Sequence, residues 1–246
     1  MNLIQKCQVL IQACNEGKLG PTIMPEDSSP VFSEDEKELR IAYFTLPTAL
    51  NYQRDSFKLW ESALKTYEDK ETRIVFDVKK SSKLSTELLR QYLSRHKLAL
   101  QPNKHVNTWQ TISKTVFENW GDFRSFMNFV NQDFLILRET MQVKYKKQFP
   151  YLSGPKIFNY WSSILDRYAH TKLKNQAYIE MAVDTHVLKA SVVLGVITQQ
   201  EADKLGRLEV AERWRRALAE SEITPSNMHF VLWFWSRNGF KDVNLW

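Results

Sequence analysis

The chain has 246 residues, 43% of them hydrophobic and 25% charged, enough apolar content for a real core and too much for wholesale disorder. Its seven glycines are too few for a β-rich fold with many tight turns or for a glycine-rich phosphate loop. A formal charge of +6 suits a polyanionic partner, and with Cys7 and Cys14 as the only cysteines, a zinc site or iron–sulfur cluster built on four thiolates is excluded.

Residues 2–16 predict a helix with Cys7 and Cys14 on one face; its embedded lysine and the lack of a cleavage site argue against a signal peptide. Both thiols are expected to be free, in a cytoplasmic protein, and no apolar run is long enough to span a bilayer. "PTIMPEDSSPVF" (21–32), with three prolines, reads as a loop. A helix follows from about Glu34, interrupted at Pro47, and "RDSFKLWESALKTYED" continues in helix with Phe57, Trp60 and Leu64 on one stripe. "RIVFDV" (73–78) is the one strand-like run.

"SSKLSTELLRQYLSRHKLAL" has a Ser/Thr start and an apolar stripe through Leu84, Leu88 and Leu89, an amphipathic helix. "KHVNTWQTISKTVFENW" and "DFRSFMNFVNQDFLILRETMQ" predict two more. "MQVKYKKQFPYLSGPKIFNYWSSILDRY" reads as helix, tight turn at "PYLSGP", helix. Residues 170–180 are a polar connection. Then come a buried helix after Asp184, a short acidic helix "TQQEADKL", a charged helix "LEVAERWRRALAE" and a final "TPSNMHFVLWFWSR". The expected class is all-α, with no internal repeat.

Two places carry candidate chemistry. At "PYLSGP" the backbone N–H groups of Ser153 and Gly154 suit a phosphate near the start of the next helix. A plain helical connection beside a solvated basic face fits the same residues. Lys156 sits in the first turn of that helix, where the helix field, like burial, favours the neutral amine that nucleophilic attack needs. A surface lysine at a helix end is the alternative. In "MAVDTHVLKASVVLGVI" Asp184 is placed as an N-cap, and a capped carboxylate is also well positioned for catalysis.

Lys156 after a hairpin, then an apolar run ending in V-D-x-x-V and a buried helix, resembles the helix-hairpin-helix DNA glycosylase superfamily. The 28 positions from Lys156 to Asp184 are similar to the longer spacing of the archaeal 8-oxoguanine DNA glycosylase family. "ELRIAYFTLPTALNYQRDSFKLW" resembles that family's early helix pair, with Trp60 on a base-pocket tryptophan. Tyr160 takes the place of a pocket aromatic, and "EITPSNMHFVLWFWSR" resembles the closing helix, with Trp233 on a second pocket tryptophan. The likeness covers roughly residues 35–70 and 140–240. It departs at His229, where the family has an aspartate contacting the guanine edge, and the family's N-terminal glutamine contact has no match here.

The resemblance implies two helical lobes around a central cleft, about 35–140 and about 141–246 plus the N-terminal helix, within one glycosylase-like domain. It implies a protein that flips a modified base out of DNA; a monomer is the default expectation. Lys156 attacks the sugar, Asp184 takes a proton or stabilises the cationic sugar, and β-elimination nicks the strand. Trp60, Tyr160 and Trp233 stack on the base and His229 reads its edge. The target is an oxidised purine or a phage-type modified base. Lys144, Lys146, Lys147 and Lys174 are candidate phosphate contacts. No metal, cofactor or membrane partner is expected; His186, beside the aspartate, lacks partners at ligand spacing. Trp161 and Trp235 are assigned to the core. Two other readings fit the same chain: a nucleoside or nucleotide N-glycosylase of the queuosine-salvage type, and a non-catalytic DNA-binding module.

Overall fold

Local capping chemistry starts most of the helices. In the computed structural model, which describes residues 1–245, Asn2 and Gln5 exchange side-chain and backbone bonds at 2.9 Å to open α1 (Leu3–Asn15), a capping box. α2 (Lys37–Thr45) stops before Pro47, after which one 3-10 turn, Thr48–Leu50, completes the bend. Asp55 caps α3 (Ser56–Glu68) through the Lys58 amide. α4 (Val78–Ser81), α5 (Thr86–Arg95) and α6 (Pro102–Trp120) follow, opened by Asp77, Ser85 and an N1 proline in turn. α7 (Phe123–Phe129) and α8 (Phe134–Glu139) are capped by Asp122 and Asp133, and α8 runs on through a π turn at Thr140–Lys144. The rest are α9 (Pro155–Arg167), α10 (Thr185–Val193), α11 (Gln199–Lys204), α12 (Arg207–Ala217) and α13 (Pro225–Arg237).

No strand occurs among the described residues; a lone bridge joins Asp133 to Lys174. The strand-like run 73–78 is a 3-10 turn, Thr72–Phe76, leading into α4. Val75 and Phe76 are consecutive and both fully buried, whereas a half-buried strand would turn one of them outward. The helix expected over 122–142 is two helices. Asn131 and Gln132 take left-handed backbone conformations (φ 55° and 47°), and the Asp133 carboxylate accepts from the Leu135 amide at 2.8 Å to start afresh.

The chain divides into two compact units, Met24–Asn175 as one, and Met1–Ile23 with the segment from Gln176 onward as the other. Packing holds α9 within the first of these: Phe158 meets Phe134 at 5.5 Å, and the buried Trp161 N–H donates to Thr45 Oγ1 on α2 at 3.0 Å. The 24–175 unit is built on aromatic rings. Tyr43 lies 5.7 Å from Trp60 and 5.2 Å from Phe76, and Phe76 lies 5.5 Å from Trp109.

The other unit has a more aliphatic core, with Leu10, Val187, Ala190, Val210 and Leu232 around Trp214. Trp214 donates to Ser191 Oγ at 2.7 Å, and Ser191 donates on to the Val187 carbonyl, so both of these buried polar groups are satisfied. Cys7 and Cys14 are not in a disulfide. Burial pushes the Cys7 thiol up to about 12, which leaves it unreactive. No helix among the described residues is long and apolar enough to cross a membrane.

Candidate functional site

Lys156 opens α9 together with Pro155, directly after the turn. The N-cap, Gly154, has no side chain to offer, so the Lys156 and Ile157 amides, in the first turn, have no intrahelical acceptor. Sequence reasoning placed the phosphate-binding amides at Ser153 and Gly154. Both are used inside the turn: Ser153 N–H donates to the Phe149 carbonyl at 2.9 Å and Gly154 N–H to the Tyr151 carbonyl at 3.0 Å. The turn is further braced by Ser153 Oγ on the Lys146 carbonyl and by Gln142 on the Ser153 carbonyl. An anion at this helix start would therefore meet the next two amides along. The Lys156 side chain is exposed, which removes burial from the expected causes of a neutral amine.

One turn after Lys156, the Tyr160 hydroxyl donates to Glu26 Oε1 at 2.5 Å. Glu26 lies in the 3-10 turn Pro25–Asp27 and is fully buried. Burial lifts its carboxyl to about 7, against the opposing pull of the Tyr160 hydroxyl. Its Oε2 has no partner, and neither has the buried indole N–H of Trp60. That N–H lies close enough to favour the charged carboxylate but closes no hydrogen bond of good geometry. Two unsatisfied polar atoms side by side are expensive in a folded interior.

Trp60 itself is fully enclosed, 5.7 Å from Tyr43 and 5.5 Å from Phe44. The expected stacking platform is thus part of the aromatic core, and its unspent group is the N–H. Sequence reasoning missed Glu26 because a proline-rich loop carries no periodicity to mark an inward-facing residue.

Asp184 is the N-cap of α10, its carboxylate accepting from the Val187 amide at 2.9 Å. Two residues on, His186 Nδ1 lies 3.3 Å from Ser236 Oγ on α13, and its ring meets Trp233 edge-on at 5.8 Å. Trp233 is half-buried and carries the Arg237 guanidinium over its ring at 4.8 Å, a cation–π contact. His229, one turn earlier, is 6% exposed and stands edge-on to Phe230 at 5.2 Å. The start of α10 and the last turns of α13 therefore bring together a histidine, a tryptophan and an arginine, with Asp184 two residues before the histidine. His186 and Arg237 are not among the predicted site residues; for Arg237 its i+4 spacing from Trp233 on α13 is the available signal.

No family model matches the chain, and neither a curated protein nor a solved structure does. The likeness to glycosylases stands on the motifs quoted above. By unit, Trp60, Lys144, Lys146, Lys147, Ser153, Gly154, Lys156, Tyr160 and Lys174 belong to residues 24–175; Asp184, His229 and Trp233 belong to the other. Lys144, Lys146 and Lys147 are exposed around the turn. Lys174 is also exposed, with its Nζ on Asn131 Oδ1 at 3.1 Å and its backbone paired to Gln132 and Phe134. Trp161 and Trp235 are buried as expected of core residues.

Proposed function

We propose that the chain is a DNA glycosylase with lyase activity, acting on a modified base such as an oxidised purine or a phage-type modified base. The observation that carries this reading is Lys156: an exposed amine in the uncapped first turn of a 13-residue helix that follows a braced tight turn. Lys144, Lys146 and Lys147 surround that turn with positive charge, suited to a phosphate backbone.

In the reaction, the lone pair of neutral Lys156 Nζ attacks the anomeric carbon C1′. The C1′–N bond breaks, and its electron pair leaves with the base, which takes up a proton. A carboxylate, the role given to Asp184, accepts the proton the amine sheds. The sugar ring opens to a Schiff base; loss of a C2′ proton then expels the 3′ phosphate by β-elimination and nicks the strand. Tyr160 and Trp233 offer aromatic surface to the everted base, and His229 offers a ring nitrogen to its edge.

The test is incubation with duplexes carrying a panel of modified bases, followed by borohydride trapping. A covalent adduct that disappears in Lys156→Ala is expected. An adduct that survives the substitution, or none with any duplex, rejects the lysine mechanism. Cleavage of free nucleosides without duplex binding would instead favour the nucleotide N-glycosylase, and binding without base release the non-catalytic module.

A further inference from the structure

Arg40, on α2, is 6% exposed. A guanidinium so nearly buried is ordinarily held by a carboxylate. Here the partners are a carbonyl, an imidazole and the Phe32 ring, whose centroid lies 5.6 Å from Cζ, and none is a carboxylate. Nη2 donates to the Phe32 carbonyl at 2.9 Å, and Nη1 lies 2.7 Å from His170 Nδ1. Since arginine offers only donors, His170 must accept at Nδ1 and carry its proton on Nε2. The ion pairs of the described residues include none to Arg40.

Arg40 forms part of the wall of a cavity of about 440 Å³ within the 24–175 unit, shared with Lys37, Arg124, Asn128, Gln132 and Thr171. The one carboxylate on that wall is Glu34, whose side chain is 81% exposed and lies 3.8 Å from Lys37. Three cations against one carboxylate leave two positive charges. Glu38, the nearby acid, is off that wall; it accepts from the Phe123 and Arg124 amides at 3.1 and 2.9 Å and feels the Arg124 charge only as a minor influence.

A second, larger cavity in the same unit makes the contrast. Its wall also carries both signs, but there Arg73 is paired with Glu36 and Lys80 with Asp77. The walls around Arg40 are held in place by chain pairing, with Lys174 N–H on the Gln132 carbonyl at 2.7 Å and Thr171 N–H on the Leu165 carbonyl at 2.9 Å.

We infer that the Arg40 cavity is a binding site for a phosphate monoester. A monoester carries close to two negative charges at neutral pH, which a carboxylate or a phosphodiester does not. The cavity is large enough to admit the sugar that bears the phosphate. Two sources share this chemistry: a free nucleotide, and the 5′-phosphate end of a DNA strand. The site does not depend on the glycosylase reading, and its test does not use base excision.

The test is calorimetric titration of the full chain, at constant ionic strength, with inorganic phosphate, a nucleoside 5′-monophosphate, and a short oligonucleotide bearing either a 5′-phosphate or a 5′-hydroxyl. Saturable binding of the phosphorylated probes is expected, weakened at least about fivefold by Arg124→Ala or Lys37→Ala, a loss of roughly one charged contact. Both side chains are exposed, so these variants probe the charge without disturbing the packing around Arg40. Binding of the nucleotide alone assigns the site to a free ligand. Binding of the 5′-phosphate oligonucleotide in preference to its 5′-hydroxyl twin assigns it to a strand end. No saturable binding of any phosphorylated probe, or binding that both variants leave unchanged, overturns the proposal.

Discussion

The phenol of Tyr160, one turn after Lys156, is bonded to the carboxyl of Glu26 across 134 positions of sequence. It ties the first half of α9 to the proline-rich turn Pro25–Asp27, which Tyr168 holds as well through Asp27 Oδ1 at 2.8 Å. Tyr160→Phe removes a bond that favours ionised Glu26. The variant should therefore lose more stability at pH 8 than at pH 5, with a loss on the order of 1.5–3 kcal/mol at the higher pH. Urea unfolding at the two pH values measures it; equal losses would show that the bond does not select the ionised form.

Glu26→Gln should reshape the dependence of stability on pH. Burial raises Glu26 and Glu38 from the ordinary 4.5 to about 7. Between those values the folded chain holds protons that the unfolded chain has lost, so both groups make stability fall as pH rises. His105 works the other way. Burial, then the nearby Arg54 charge, lowers it from 6.5 to about 4, so stability rises with pH across that interval. Two carboxyls against one imidazole leave a net fall of about 1.4 kcal/mol per pH unit from roughly pH 5 to 6.5. In Glu26→Gln the remaining pair should nearly cancel. Denaturation midpoints across that range would show a sloping wild type and a flat variant.

Asp184 allows its two roles to be separated. Asn is as good a cap as Asp, so Asp184→Asn should keep the bond to the Val187 amide and the stability with it, while Asp184→Ala should cost about 1 kcal/mol. If the carboxylate serves the chemistry, both variants lose base excision. Full activity in Asp184→Asn would reduce the residue to a helix cap.

Thr45→Val strands the buried Trp161 N–H, whose partner is Thr45 Oγ1. A loss of about 1–3 kcal/mol is expected, with Thr45→Ser close to wild type. Thermal unfolding of the pair distinguishes the missing hydroxyl from the changed shape.

Legibility followed the locality of the cause. Ser85, Asp184 and Thr224 announce helix starts because a cap acts within three residues, and each is found there. Pro47 ends a helix for an equally local reason. "RIVFDV" misled because β-branched and aromatic residues favour strands only where a neighbouring strand exists, and none does. The break at Asn131–Gln132 carries no glycine or proline; it is stabilised by pairing with Lys174, some forty positions on. The same limit governs the site. Lys156 and Asp184 are marked by motif, whereas Glu26 becomes notable only when Tyr160 and Trp60 are beside it, and Arg40 only when the absence of a carboxylate can be measured.

The split of one compact unit between the two ends of the chain has a consequence for biosynthesis. α1 finds its partner in α13, so the first helix must wait through about 210 intervening residues before its apolar stripe is covered. Ribosome-bound intermediates should complete the middle unit first, leaving Leu10 and its neighbours solvent-facing. A nascent chain halted before α13 emerges is the form of this protein most exposed to chaperones and proteases.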